Sequence, residues 1–351
     1  MDSDERAFKK ILIIKPSSLG DIVMALPALS ALHNSFPDAK IDWMVRNEFA
    51  PLLETHPFVN EVILFDRKFL GKSWYNPRAI KALLLLISQL RDKKYDIVID
   101  LQGLFRTAVL GWLSGCRKRF GMADARELAP VFYTNKISVD KTDIHMVDYY
   151  LKTAEAAGAN KREVEFVLGE NPKAKASVKK LLSEQGVDRD NYVVFIPSSA
   201  HRDKCWPVER FAELAAKIHS RYKLPAVAIG TKSEADMVAE LESMSNGRVV
   251  NLAGRTSLLE LTELLRDAKL VVSNDTGPGH IAAALSRPLV FIFGLSNPAR
   301  VGPYGMKESV VAIEPDSRPM EFKSNDPKYD IRNIMVNDVY SKVCEQLQDI
   351  K

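Results

Sequence analysis

Three cysteines are all that this chain of 351 residues contains, and Cys116, Cys205 and Cys344 stand far apart with no CxxC spacing. That scarcity argues against a disulfide framework and a cysteine zinc site, and it fits a reducing compartment. Long apolar runs are also missing. The longest, Ala82 to Ile87, is soon followed by Arg91, well short of the ~20 residues that span a bilayer. The stretch from Met1 to Lys10 is charged, and only Ile11 to Ile14 follow as an apolar run, so no secretory leader is expected. The expected location is the cytoplasm, at most peripheral on a membrane. Neither sign of charge dominates: 49 basic against 45 acidic residues leave +4. That is too mild for a dedicated nucleic-acid binder, although local basic patches remain available for anionic ligands. Neither GxGxxG nor GxxxxGK(S/T) occurs, which speaks against a dehydrogenase and against a P-loop kinase. Low-complexity tracts and short repeats are lacking too.

What is present is an alternation of strand-like and helix-like stretches, at a length that suits two domains. In the first half, strands are expected at Ile11–Ile14, Lys40–Val45, Glu61–Leu64 and Ile97–Asp100, with a weaker one at Arg119–Gly121. Helices are expected over Asp21–Asn34, Pro77–Leu90, Gly103–Leu113 and His145–Ala157. The second half offers strands at Tyr192–Ile196, Ala226–Ile229, Val249–Asn251, Leu270–Ser273 and Leu289–Phe293. Its helices are expected over Pro207–Arg221, Lys232–Met244, Ser257–Asp267 and His280–Leu285. Such alternation implies βαβ units and parallel sheets. The fold class expected is α/β, two Rossmann-like domains over 1–168 and 169–336, facing across a cleft. Leu168 to Lys173, with Gly169, Asn171 and Pro172, is the linker candidate. The last stretch, 337–351, has helical spacing and is expected to pack back on the first domain.

Three strand–turn–helix junctions carry candidate chemistry. Ser273-Asn274-Asp275-Thr276-Gly277-Pro278-Gly279-His280 joins an apolar strand to an apolar helix. A helix N-terminus offers unpaired N–H groups and the positive end of its dipole, which suits phosphate. The alternative is an ordinary capped helix, with Asp275 or Thr276 as the cap. Lys15-Pro16-Ser17-Ser18-Leu19-Gly20-Asp21 is the second junction. There Asp21 is either a helix cap or a general base at the cleft. The third, Pro197 to Pro207, puts Ser198, Ser199 and Lys204 at a strand's carboxyl end. Lys204 there either neutralises a phosphate or is a solvated loop residue. Arg67, Lys68, Lys72 and Arg126 are solvated faces unless the acceptor is anionic. His145 is either a cap or an acceptor contact, and His33, His56 and His219 read as structural or exposed.

Taken together, Lys15 to Asp21, Asp203-Lys204-Cys205-Trp206-Pro207 and Asn274 to His280 resemble the motifs of glycosyltransferase family 9, the ADP-heptose:lipopolysaccharide heptosyltransferases. Phe293-Gly294, Asn297-Pro298 and Gly302-Pro303 resemble that family's closing loop. Asp42-Trp43, Arg67-Lys68 to Trp74, Asp100-Leu101-Gln102-Gly103 and Ala125-Arg126-Glu127 are most similar to the members that add heptose to a Kdo residue of lipid A–Kdo.

The resemblance implies a GT-B architecture, with acceptor in the first domain, nucleotide-sugar in the second, and inverting chemistry. It makes Asp21 the general base. Lys204 and Ser199 stabilise the departing ADP, with Ser198 on the same loop. Asp275, Thr276, Gly277 and His280 surround the pyrophosphate. Glu234 binds the ribose, and Thr256, Ser257 and Leu258 hold adenine. Ser18, Gly20, Arg67, Lys68, Lys72, Gln102, Gly103, Arg126 and His145 are the acceptor candidates. ADP-heptose and lipid A–Kdo are the implied partners. No cofactor is required and no divalent metal is implied, since oriented N–H donors and a lysine can meet the leaving charge. Two other readings stay open: a family member with a different acceptor (a heptosylated core, a protein or another glycan), and a nucleotide-sugar binder without catalysis.

Overall fold

The structure, a computed structural model, describes residues 8–140, 144–160, 163–315, 318 and 326–348. They form two compact units. The first runs to Asp140 and resumes over Met146–Gly169; the second takes in His145 and the chain from Glu170 onward. No helix among the described residues is long and apolar enough to cross a membrane.

The first unit contains β1 (Lys10–Ile14), α1 (Leu19–Ser35), β2 (Lys40–Val45), α2 (Ala50–Glu54), β3 (Glu61–Leu64), α3 (Arg67–Leu70), α4 (Pro77–Lys93), β4 (Ile97–Asp100), α5 (Phe105–Leu113), β5 (Arg119–Met122), β6 (Asn135–Ile137) and α6 (Met146–Ala156). Its six strands are all parallel, in the order β3-β2-β1-β4-β5-β6. Ile11 to Ile14 and Ile97 to Ile99 are buried on both sides, as parallel strands covered by helices must be. Leu12, Ile14, Met44, Val98 and Leu110 pack with Leu86 and Leu90 of α4 in one core cluster.

The second unit contains α7 (Pro172–Glu184), β7 (Val193–Ile196), α8 (Val208–Tyr222), β8 (Ala226–Ala228), α9 (Ala235–Met244), β9 (Val249–Asn251), α10 (Leu258–Asp267), β10 (Leu270–Asn274), α11 (Gly277–Ala284), β11 (Leu289–Phe293), α12 (Pro298–Val301), β12 (Val310–Ala312) and α13 (Val336–Gln348). Its strands are also all parallel, in the order β12-β11-β10-β7-β8-β9. Counted from each unit's own first strand, both sheets read 3-2-1-4-5-6. In such sheets the order reverses beside the first strand, and ligands bind beyond the carboxyl ends there. The reversal points are β1/β4 and β7/β10.

The closing helix differs from expectation. Val336, Val339 and Val343 of α13 are buried in the second unit's own core with Phe211, Leu214, Val272 and Val290. It belongs to the second unit, where its apolar stripe completes the surface beside α8 and β11. The final three residues of the 337–351 stretch lie outside those described, as do Met1 to Ala7 of the N-terminal segment.

Candidate active site, built as two half-sites

In the first unit the loop after β1 leads into α1. Ser18 caps that helix, and Asp21 sits three residues on, at N3. The Ser18 N–H and Oγ both donate to Asp21 Oδ2, at 3.1 and 2.8 Å. Asp21 is therefore not the N-cap; it is the returning half of a capping box. Tyr150 of α6 donates its hydroxyl to Oδ1 at 3.2 Å, and the Lys15 ammonium lies 3.9 Å from Oδ2. Burial alone would raise the Asp21 carboxyl, but Lys15, Ser18 and Tyr150 hold it below the ordinary carboxylate value. Lys15 is 3% exposed, its ammonium over the Tyr150 ring. Burial lowers its pKa from the usual lysine value, opposed by Asp21 and Asp100, while Arg126 adds to the lowering. The Trp43 indole donates to the Lys15 carbonyl at 3.1 Å, which fixes the start of the loop.

Asp100, at the end of β4, stands on the other side of the reversal point. Its Oδ1 accepts from the Gln102 and Gly103 N–H groups at 2.9 and 3.1 Å. Its Oδ2 accepts from Thr107 at 2.9 Å and Tyr133 at 2.8 Å. Burial pushes its pKa up despite these bonds. Gln102 Oε1 in turn accepts from the Ser17 N–H at 3.3 Å, so the loops after β1 and β4 are tied together. Arg126 reaches this loop through its N–H, bonded to the Gly103 carbonyl at 3.0 Å. Arg67 and Lys68 line a depression of about 280 Å³ with Arg46, Asn47, Glu48, Phe65 and Asp66, after β2 and β3. Lys72 lies beyond α3, exposed, and is not part of that lining. His145 is grouped with the second unit, its Nε2 3.1 Å from the Gly302 carbonyl oxygen and its ring edge-on to Tyr304.

In the second unit, β10 ends at Asn274, whose side chain bonds the Trp206 N–H at 3.1 Å and the Pro197 carbonyl at 2.7 Å. These bonds join the loops after β7 and β10. Lys204 Nζ lies 2.6 Å from Asp275 Oδ2, the Ser296 hydroxyl donates to the same oxygen at 2.6 Å, and Ser199 Oγ donates to the Asp275 carbonyl at 3.0 Å. His280 Nε2 is 3.8 Å from Oδ1. Burial would raise the Asp275 carboxyl, but His280 and Lys204 hold it far below its usual range. The carboxylate thus gathers Lys204, Ser296 and His280 around it. Ser198 is buried.

Thr276 caps α11, and its side chain makes no capping hydrogen bond among the described residues. Gly277 opens the helix and Pro278 follows, where a missing N–H costs no helix bond. Gly279 is needed for space: a Cβ there would lie 2.6 Å from Ser273 Oγ and 2.7 Å from the Phe291 ring. Glu234 follows β8, its Oε2 accepting from the Thr231 N–H at 2.6 Å and hydroxyl at 2.9 Å. Ser257 caps α10 after β9, flanked by Thr256 and Leu258. All the donor-side candidates thus stand on the carboxyl-end loops of β7 to β10.

Reasoning from sequence missed Lys15, Tyr150, Ser296 and Arg318. Lys15 carried a signal, as the first polar residue after an all-apolar strand. Tyr150 carried none, lying 129 positions from Asp21. Arg318 donates to the carbonyls of Ser296 and Ile313, bracing the loop after β11.

The sequence model of glycosyltransferase family 9 (heptosyltransferase) matches residues 83–329. The chain belongs to glycosyltransferase family 9. Among its relatives is lipopolysaccharide heptosyltransferase 1 of Escherichia coli O18:K1:H7, 31% identical over 323 residues, 90% of this chain and 95% of that one. The protein of the same name from E. coli K12 is 32% identical over 308 residues, 86% and 92% of the two chains. Among solved structures, E. coli heptosyltransferase WaaC with ADP-2-deoxy-2-fluoro heptose superposes with a TM-score of 0.74 at 28% identity, over 96% of this chain and 99% of that one. A family 9 glycosyltransferase from Veillonella parvula reaches 0.84 over 97% of both chains; at 23% identity it bears on the fold alone. This family 9 chain is a heptosyltransferase of the GT-B class, each of its two units a six-stranded parallel sheet with helices.

Proposed function

We propose that the enzyme moves L-glycero-D-manno-heptose from ADP-heptose to a Kdo residue of lipid A–Kdo, with inversion at the anomeric carbon. The observation that carries this reading is the Asp21 carboxylate at the first unit's reversal point, held by the Ser18 and Tyr150 donors with Lys15 beside it. A carboxylate kept charged at neutral pH, with Tyr150 and Ser18 fixing its direction, is suited to accept the proton of an incoming hydroxyl. The acceptor oxygen attacks the anomeric carbon, its proton passes to Asp21, and the bond from that carbon to the ADP oxygen breaks. One displacement gives inversion. The electron pair leaves on the β-phosphate of ADP. Lys204 and the first-turn N–H groups of α11 are suited to meet that charge, with Asp275 as the positioning residue for Lys204. Glu234 and the Thr256–Leu258 segment are assigned to the nucleoside. Arg67, Lys68 and Arg126 are assigned to the anionic groups of the acceptor, which charge-assisted contacts recognise well.

The reading puts the enzyme in the cytoplasm, on the inner face of the membrane that carries its lipid acceptor. The test is ADP release from ADP-heptose with defined lipid A–Kdo, for the wild type and Asp21→Asn. Asparagine preserves the shape and removes the base, so turnover is expected to fall by ~10²–10⁴, with ADP affinity retained and the melting temperature modestly lowered because buried Lys15 loses its counter-charge. Near-normal turnover in Asp21→Asn removes the base assignment. Turnover with heptosylated acceptor alone points to a different acceptor, and ADP-heptose binding without turnover on any acceptor points to a non-catalytic binder.

A further inference from the structure

Helix α4 carries apolar residues on both of its faces. Ala79, Leu86 and Leu90 are buried, and Leu83 and Ile87 pack against the same core cluster. Ile80, Leu84 and Leu85 stand on the opposite side, 42%, 60% and 60% exposed. A surface helix of a water-soluble unit usually presents polar side chains there. The turn feeding α4 adds Trp74, 83% exposed, and Tyr75, their rings edge to face at 4.6 Å. The charge of the segment is equally one-sided. From Arg67 to Arg91 there are six cations and no acidic residue, and Arg78 and Lys81 are exposed among the apolar side chains.

We propose that this face of the Trp74–Leu85 segment docks on the surface of an anionic lipid bilayer. Tryptophan and tyrosine favour the headgroup level, where one end of the ring is dry and the other wet. Aliphatic side chains on the same face enter the acyl boundary, and anionic headgroups draw in lysine and arginine. A second copy of the chain is a poorer occupant, because two faces bearing only positive charge repel one another. The face also has a useful position within the first unit. Residues 65–76 follow β3, and in a parallel sheet that end is shared with the Lys15–Asp21 loop after β1. Docking would bring that edge to the lipid surface. The proposal rests on exposure and charge and stands apart from the reading of the acceptor.

The experiment is flotation of the full chain with vesicles that contain no acceptor. Binding is expected to phosphatidylcholine vesicles carrying about 30% phosphatidylglycerol, to be weaker without the anionic lipid, and to fall in about 0.5 M salt. The double variant Leu84→Gln/Leu85→Gln and the single variant Trp74→Ala are each expected to lower partitioning about tenfold. Leu128 and Val131 are also exposed, at 73% and 70%, but lie outside the segment; Leu128→Gln/Val131→Gln should leave partitioning unchanged. Absence of wild-type binding to the anionic vesicles overturns the proposal, as does equal binding by the α4 variants. So does a wild-type dimer in sedimentation that Leu84→Gln/Leu85→Gln breaks. Turnover of the Leu84→Gln/Leu85→Gln variant on detergent-dispersed acceptor should equal that of the wild type. A wild-type protein inactive in that assay counts against the transfer reading and leaves the vesicle result standing.

Discussion

At the scale of single residues, the telling group is the one around Asp21, where one carboxylate takes two donors from Ser18, one from Tyr150 and the field of a buried lysine. Each partner favours the charged form, so each sets where the carboxylate titrates. The folded value lies below the ordinary one, about 4 for aspartate. The acid limb of kcat/KM is therefore expected below that pH, because activity is lost as pH falls through the folded value. Tyr150→Phe removes one donor to the ionised form and raises the pKa, so the limb should move to higher pH while activity at neutral pH is largely kept. A pH–rate profile checks this; an unmoved limb would mean that Tyr150 only packs. The junctions that carry these candidates were legible in the sequence. Asp21, Lys204 and the Thr276–His280 turn all follow the carboxyl ends of strands, as the junctions suggested. Tyr150 was not legible, since helical spacing tells which face of α6 is buried and nothing about which distant carboxylate its hydroxyl meets. The role of Asp275 was also hidden: a motif gives an acidic residue near phosphate donors, and only the geometry shows the carboxylate turned toward Lys204.

At the scale of elements, the strands that fill the sheet centres were readable because burial on both sides demands apolar runs. β6 and β12 were not. Asn135-Lys136-Ile137 pairs with β5 at the sheet margin and has little apolar content, while Val310-Val311-Ala312 beside β11 is apolar but, at three residues, too short to show a period. The closing helix was legible as a helix but not by its partner, because the stripe Val339, Val343 and Leu347 demands burial without saying against what. Helix α11 is the element that the proposed function sets against the donor's pyrophosphate. Its first turn approaches β10 and β11 so closely that only glycine fits at 279. Gly279→Ala forces the helix away from Ser273 and Phe291, at a cost of about 1–3 kcal/mol. ADP affinity is expected to drop as well, because the N–H groups at the helix start shift with it. Melting curves and titration calorimetry with ADP measure both; normal values of each would show that α11 has room to spare.

At the scale of the whole molecule, the two units have separate sheets and separate core clusters, and the donor candidates all lie in the second. Ligand binding stabilises only what it binds. Scanning calorimetry is expected to resolve two transitions. ADP at a hundred times its Kd should raise the stability of one by about 2.7 kcal/mol and leave the other in place. Lys204→Ala should weaken that response. A single transition that ADP moves as a whole would mean that the units unfold as one. The two-unit α/β organisation was legible from the alternation of strands and helices. The common strand order was not, since which strand neighbours which depends on crossovers that periodicity does not encode.

That common order leads further. In each unit a lysine on the loop after the first strand answers an aspartate at the end of the fourth: Lys15 feels Asp100, and Lys204 pairs with Asp275. Each sheet thus sets a lysine after its first strand and an aspartate at the end of its fourth, in direct contact for Lys204 and Asp275 and at longer range for Lys15, whose ion pair is with Asp21. Point substitutions in the loops before Gly169 can retune one arrangement while the Lys204–Asp275–His280 network keeps its form, and the reverse holds for loops after it. With one substrate on each unit, as the proposed function has it, such a chain can change its taste in one without relearning the other. An exchange of its first 169 residues for those of a relative is the natural way to use that freedom.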